Sequence, residues 1–578
     1  MTDFIDLAHS LGSLTEDTNP FSKRVTAEVI DSNAGIYSTS LKFNCASLYN
    51  TSSFNDFKNA VIDIPLIAVV SQAADTNAMV KNPLAFAMKN GYYNLIDSCK
   101  VVYDNVTIQE HVDRSTFYTS FKMHSQMTVN DEAAIGSTIG YAKDTPTSWK
   151  YNKGGVGGTV SEQGSGLCNN IPRTVTGSAY TDEPFVNKGM RMRQSYVSDP
   201  ANSADLIGKQ NGFITNSTNY VDVSVGATHK LSYTVYYFNA LIRLSDISDV
   251  MSKFPLVKGG LLNLELNLNL GSLMVNPAAA PTAGEPYGPN AATFTLGTKS
   301  RVTQQQTLFN STNVCPFMLA PTNSVESVID QAQSQIVAGV YIGKVTSSIA
   351  GSIGPNHSNL NIPPHTRQYC RIIVPQYEMQ ASVALAYTKN NIVKSIDYDV
   401  LQYTRVESKK SSSTNVAISE SCVNPVGLLC IPMLNQDSND GLDPISSPFT
   451  TEPATSSPVS LSSFNVDLNG TPVYTNGNIN YGYEHYLNEI NGMMSSSGNR
   501  GVGFGSGISL LEFNNNYKYY YVNLERRVAD EIQAKSVKLR FANNSLVDLS
   551  VHTFLVLRKN ISIDTVTGKL LTITNGAV

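Results

Sequence analysis

Between residues 259 and 271 the chain reads GGLLNLELNLNLG, with Leu262, Leu264, Leu266, Leu268 and Leu270 alternating with Asn263, Glu265, Asn267 and Asn269. Successive side chains of an extended chain point to opposite faces, so this segment predicts a strand with one apolar and one polar face. A helix would scatter the same leucines around its circumference. Further strand-like runs are KRVTAEVI, GIYSTSLKFNCASLY, AVIDIPLIAVV (60–70) and NLIDSCKVVYDNVTIQE, rich in β-branched and aromatic residues and bounded by Asn, Asp, Gly or Ser. IDIPLIAVV and SVHTFLVL are apolar on both faces. Helical spacing is confined to short stretches. One is DRSTFYTSFKMHSQM (113–127). The other is FIDLAHSLGSL (4–14), where Phe4, Leu7, Leu11 and Leu14 recur every three or four residues. That amphipathic segment either docks on its own domain or serves as an inter-subunit arm.

Three long polar excursions interrupt the strands, at about 141–225, 271–362 and 435–458, and loops of such length usually carry function or contacts. A repeat underlies the rest. LSYTVYYFNALIRLSDISDVMSKFPLVKGGLLNLELNLNLG and NYKYYYVNLERRVADEIQAKSVKLRFANN each read as a tyrosine-rich strand, a short helix and an alternating strand. A closing strand follows each block: YCRIIVPQYEM after the first, LSVHTFLVLRKN after the second. The repetition predicts two copies of one all-β domain. The expected division is an N-terminal arm (1–23), a first jelly roll with its insertions (24–384) and a second jelly roll (385–578). Apolar faces of two antiparallel sheets must meet, so each copy is expected to be a sandwich. The leucines of 262–270 then face the opposite sheet, and Asn263, Glu265, Asn267 and Asn269 face solvent or a neighbouring subunit.

Composition narrows the function. Charged residues make up only 15% of 578, the net charge is −5, and the first 22 residues hold four acidic residues and no Lys or Arg. A surface that coats nucleic acid would be basic, so no direct sequence-specific nucleic-acid binding is expected. The seven cysteines are odd in number and never spaced C-x-x-C, which predicts buried free thiols. No signal peptide is visible, and AVIDIPLIAVV, broken by Asp63 and Pro65, is too short to cross a bilayer as a helix. A transmembrane β-barrel would need polar lumen positions in every strand, which IDIPLIAVV and SVHTFLVL lack.

Candidate chemistry is sparse. The eight histidines are dispersed, with no HExxH and no H-x-H, so neither metal nor cofactor is expected. GNRGVGFGSG (498–507) does not fit G-x-G-x-x-G and reads as a surface loop. QDSNDGLD (436–443) fails the EF-hand pattern at Gln436 and Ser447. Asp397 and Asp399 in DYD could pair for cation binding or glycosidic chemistry, but an exposed polar strand face is the better account of them. Trp149 lies in a loop, as a contact anchor or a loop pin. Tyr517–Tyr521 and Arg526–Arg527 suit a core strand and its cap better than a base-stacking platform. No catalytic residue is assigned and no enzymatic activity is expected. A glycan-binding or glycan-cleaving β-sandwich protein is the alternative.

The pattern resembles that of the double jelly-roll major capsid proteins, especially those of Polinton-like viruses and virophages, in a lineage with adenoviruses and giant viruses. The resemblance rests on YYVNLERRVADEIQAKSVKLRFANNSLVDLSVHTFLVLRKNISIDTVTGKLL, on LIRLSDISDVMSKFPLVKGGLLNLEL and on SIDYDVLQYTRVESKKSSSTNVAISESCVNPVGLLCIPML (395–434). It implies two tandem eight-stranded antiparallel jelly rolls with short helices and long loop insertions. It further implies a homotrimer that forms a pseudo-hexameric capsomer and tiles the icosahedral shell of a double-stranded DNA virus. Neighbouring capsomers, a single jelly-roll penton protein and minor capsid or cement proteins are the implied partners. The implied location is the virion, after synthesis in the host cytoplasm or nucleus.

Overall fold

The computed structural model describes residues 20–37, 39–49, 52–74, 84–143, 189, 192–193, 196, 214–222, 230–277, 302–308, 314–321, 336–346, 362–390, 392–434, 445, 461–474, 485–491, 507–515, 517–525, 533–545 and 548–574. Sixteen strands build two jelly rolls in series. The first roll uses β1 (Phe21–Ile30), β2 (Ser40–Asn44), β3 (Val61–Ala74), β4 (Ile96–Tyr103), β5 (Val106–Gln109), β6 (Lys230–Arg243), β7 (Leu262–Leu268) and β8 (Arg371–Met379). The second uses β9 (Val393–Ser408), β10 (Ser413–Cys422), β11 (Pro425–Leu434), β12 (Leu461–Leu468), β13 (Thr471–Pro472), β14 (Tyr520–Asn523), β15 (Lys535–Asn543) and β16 (Leu549–Asp564). In the first roll the antiparallel orders are β1-β8-β3-β6 and β2-β7-β4-β5. In the second they are β9-β16-β11-β14 and β10-β15-β12-β13. Adding eight to each strand number of the first roll gives the second, so the repeat is one of topology. The tyrosine-rich strands are β6 and β14, the alternating strands β7 and β15, the closing strands β8 and β16.

The leucine alternation does what its period requires. Leu262, Leu264, Leu266 and Leu268 are buried in the first core, while Asn263, Glu265 and Asn267 are partly exposed. Asn269 departs from the expectation of an outward side chain: it is fully buried. The alternation itself continues, with Leu268 and Leu270 in the core, but past a bulge against β4 between Asn267 and Leu268 the polar face is covered. The Asn269 backbone N–H then donates to the Leu95 carbonyl (2.7 Å), and its side-chain amide donates to the Asn94 carbonyl (3.0 Å).

Strand β3 is buried on both faces, as its unbroken apolar run demands. One face joins the first core. The other packs Ile67 and Val69 against Val235 and Tyr341. Pro65 sits within this central strand without wasting a ladder bond. On that edge β3 pairs with β8 only through residue 63, and with Ile336–Ile342 only from residue 66. The Pro65 carbonyl accepts from Gly343 (3.1 Å) on the same side, so the missing N–H falls in the gap between the two partners. Asp63 is buried but fully engaged. Its carboxylate accepts from Arg371 (2.8 Å), Arg367 (2.9 Å) and Asn239 (2.7 Å).

The excursions are not all loop. Ile214–Asp222 forms a hairpin with β6, while Gly271–Pro277, Val302–Leu308 and Ile336–Ile342 extend the β3 sheet. Polar or turn-rich surroundings hid the first three, and Ile336–Ile342 finds its partner on β3 some 270 positions away. Six cysteines (45, 99, 315, 370, 422 and 430) are free and buried, while Cys168 lies outside the described residues. Burial pushes the Cys99 and Cys45 thiols up to about 12, which keeps them protonated.

Candidate functional site

The two rolls meet across a seam that belongs to neither core alone. Ile396, Tyr398, Ile561 and Ile563, from β9 and β16, are buried within the apolar cluster of the first roll. From the other side, helix α1 (Ser115–Gln126), followed by helix α2 (Val129–Ile139), reaches over the second roll. Phe117 and Phe121 project from one face of α1 and pack with Leu429, Ile431, Phe554, Tyr519 and Tyr521. Phe121 meets Tyr519 edge-on with ring centroids 4.9 Å apart and stacks on Tyr521 at 5.7 Å. His124, one turn further, stacks on Tyr517 at 4.3 Å and shares a 2.9 Å hydrogen bond with the Tyr519 hydroxyl.

Hydrogen bonds fix the pose between these apolar contacts. The Tyr103 hydroxyl donates to the Gly568 carbonyl (2.6 Å), and the Tyr398 hydroxyl to the Ile108 carbonyl (2.9 Å). The Lys258 backbone N–H donates to the Thr565 carbonyl (2.8 Å), and Lys143 pairs with Glu512 at 3.0 Å. Two glycines make this approach possible. Gly568 has φ +69°, and a Cβ there would lie 2.4 Å from the Gly260 nitrogen. Gly260 has φ +91°, and its Cβ would strike the Tyr103 hydroxyl at 2.3 Å.

Beside this joint lies a cleft of about 590 Å³, lined by residues of both rolls including His111, Tyr118, Lys122, Asp249, Asp399 and Tyr403. The Asp399 backbone N–H donates to the Asp249 carboxylate (2.9 Å). Burial would raise the Asp249 carboxyl, but Lys122 (3.4 Å) and Lys253 (2.9 Å) override it and hold it down to about 2. Burial, reinforced by the Asp249 charge, pushes the Asp399 carboxyl up although Arg558 lies 3.3 Å away. Both carboxylates are therefore tied into the joint. Asp397 is exposed and accepts from Asn560 (2.7 Å), so the carboxylate that faces Asp399 is Asp249. His552 is buried near Arg114 (3.4 Å) and Tyr403 (2.8 Å), and burial, then the Arg114 and Arg405 charges, keep it well below its ordinary range. Among the described residues no group of three or more His, Cys, Asp or Glu could hold a metal ion.

Tyr517, Tyr519, Tyr520 and Tyr521 are buried, in a core role. Phe4, Leu7, Leu11 and Leu14 lie outside the described residues, as do Trp149, 436–443, 498–506, Arg526 and Arg527. The seam residues escaped sequence reasoning because their partners stand hundreds of positions apart, as with His124 and Tyr519.

No protein-family model matches the chain, and no curated protein matches it. Solved structures do. A chain in the structure of the Sputnik virophage by electron cryo-microscopy is similar at 10% identity, covering 98% of this chain and 91% of that one, with a TM-score of 0.50. The mavirus major capsid protein aligns at 7% identity over 97% and 94% of the two chains, with a TM-score of 0.38. The Faustovirus major capsid protein aligns at 8% identity over 95% and 92%, with a TM-score of 0.40. At these identities the likeness is one of fold, and the fold is the double jelly roll.

Proposed function

We propose that this chain is a major capsid protein: a structural subunit that trimerises into a pseudo-hexameric capsomer and tiles an icosahedral shell around double-stranded DNA. The observation that carries this reading is the joint. Two rolls of identical topology are locked in one pose by a shared apolar cluster, α1 and several hydrogen bonds. A rigid pair repeated by a threefold axis presents six sandwiches around a ring, which a lattice of hexagonal tiles requires. Fixing the pose within one chain removes the need to set it at assembly. An acidic subunit, −5 overall, suits a shell that does not itself condense DNA.

On this reading the unit boundary falls in the helix α3 (Ala381–Asn390), which links β8 to β9. The partners are neighbouring capsomers, a single jelly-roll penton protein and minor cement proteins, and the location is the virion. Negative-stain electron microscopy of the concentrated protein is the direct test. Hexagonal capsomers, alone or in faceted particles, are expected. Isolated elongated monomers at every concentration would contradict the reading.

A further inference from the structure

The end of the molecule where the described chain begins carries an uncovered apolar ledge. The Pro20 carbonyl accepts from the Gln380 N–H (3.1 Å), so residues 1–19 leave beside the first turn of α3. The inner face of α3 is anchored by Val383 and Tyr387, which pack with Phe54 and Leu256. Its outer face carries Ala381, Leu385 and Lys389 at four-residue spacing, and Leu385 is 70% exposed. Directly after the helix come Ile392 and Val393, each half exposed. Val566 adjoins them, because the preceding Thr565 N–H donates to the Ile392 carbonyl (2.9 Å). Exposed apolar side chains on the helix and on the strand ends that follow it offer a contact surface.

The N-terminal segment has the complementary chemistry. Phe4, Leu7, Leu11 and Leu14 form one apolar stripe at helical spacing. Asp3, Asp6, Glu16 and Asp17 flank that stripe, with no Lys or Arg before Lys23. Lys389 and Lys394 flank the ledge. Glu378, the acidic residue nearest the start of α3, is already paired with Lys23 at 3.7 Å.

We propose that residues 4–14 pack as a helix along the outer face of α3 of their own chain, covering Leu385, Ile392 and Val393 and setting Asp6 and the acidic residues at either end of the segment against Lys389 and Lys394. Five residues join Leu14 to Pro20, six steps of chain and a tether of about 20 Å when extended, and α3 is about 15 Å long. The tether therefore reaches the whole ledge, and tethering gives this copy of the ledge the highest effective concentration. The inference does not depend on the capsid reading.

The test is thiol labelling at position 385 in Leu385→Cys, read by peptide mass spectrometry, in the full chain and in a chain lacking residues 1–19. Val129→Cys, at an exposed position on another helix, serves as the control. Labelling at 385 should be about tenfold slower in the full chain, as expected of a docked segment that opens only transiently, with position 129 unaffected. Equal rates at 385 would overturn the proposal. Carbodiimide cross-linking of Lys389 to the segment, in protein co-assembled from isotopically light and heavy chains, separates the other occupant. Cross-linked peptides of a single isotope support docking within the chain. Mixed-isotope peptides would overturn it in favour of exchange between copies.

Discussion

Residue by residue, the fold depends on which side of each sheet a side chain faces. Leu264 and Leu266 lie between the sheets of the first roll, so Asp at either position would place a charge where nothing neutralises it. Neither variant should give soluble folded protein. Asn267→Asp should fold at a cost of about 1 kcal/mol, because its neighbour Ser98 (2.8 Å) can donate to the new carboxylate. Soluble expression with circular dichroism checks this, and like behaviour of all three variants would refute the assigned facing. A second residue-scale test concerns acid. His485 sits among Phe464, Phe513 and Tyr520, and burial pushes its pKa down to about 4. The folded state keeps this ring neutral while the unfolded chain accepts a proton near pH 6.5. The resulting stability is complete above about pH 6.5, lost as pH falls towards 4, and worth about 3 kcal/mol in total. Asp399, raised by burial, works in the opposite sense, so the comparison must be made at His485 itself. His485→Phe should flatten the fall in melting temperature between pH 6.5 and 4; an unchanged slope would exclude this origin.

At the level of strands and helices, the seam is the element whose geometry matters most. Gly568→Ala would force a Cβ against the Gly260 backbone and strain a left-handed residue. A loss of about 2 kcal/mol or more is expected, against about 1 kcal/mol for Gly470→Ala, where φ is +78° and the backbone is strained but a Cβ meets nothing within 4 Å. Thermal unfolding of the two variants makes the comparison. What was legible in the sequence at this scale was what local period encodes. The leucines of β7 announced their strand, and the spacing of 113–127 announced α1. The helix Val129–Ile139 went unread although Thr128 and Asp131 form a capping box and Gly140 ends it at φ +69°. Ile336–Ile342 is rich in β-branched residues, but its place beside Leu66–Gln72 depends on a pairing across some 270 positions, which no local pattern encodes. The same distance hid the cleft: Asp399 was visible as half of DYD, whereas its counterpart Asp249 looked like part of a short helix.

For the whole molecule, the repeat carries the functional argument. One topology occurs twice with a shared apolar joint, and the chain carries few charges. Nothing in this scheme requires a catalytic group, and the carboxylates at the seam are held by lysine and arginine partners. The account's central claim is that one chain supplies one third of a six-sandwich ring. Native mass spectrometry of the purified protein at micromolar concentration measures this directly. The account predicts a dominant species at three times the 62.7 kDa chain mass, or multiples of that trimer. A species of 62.7 kDa alone would contradict it.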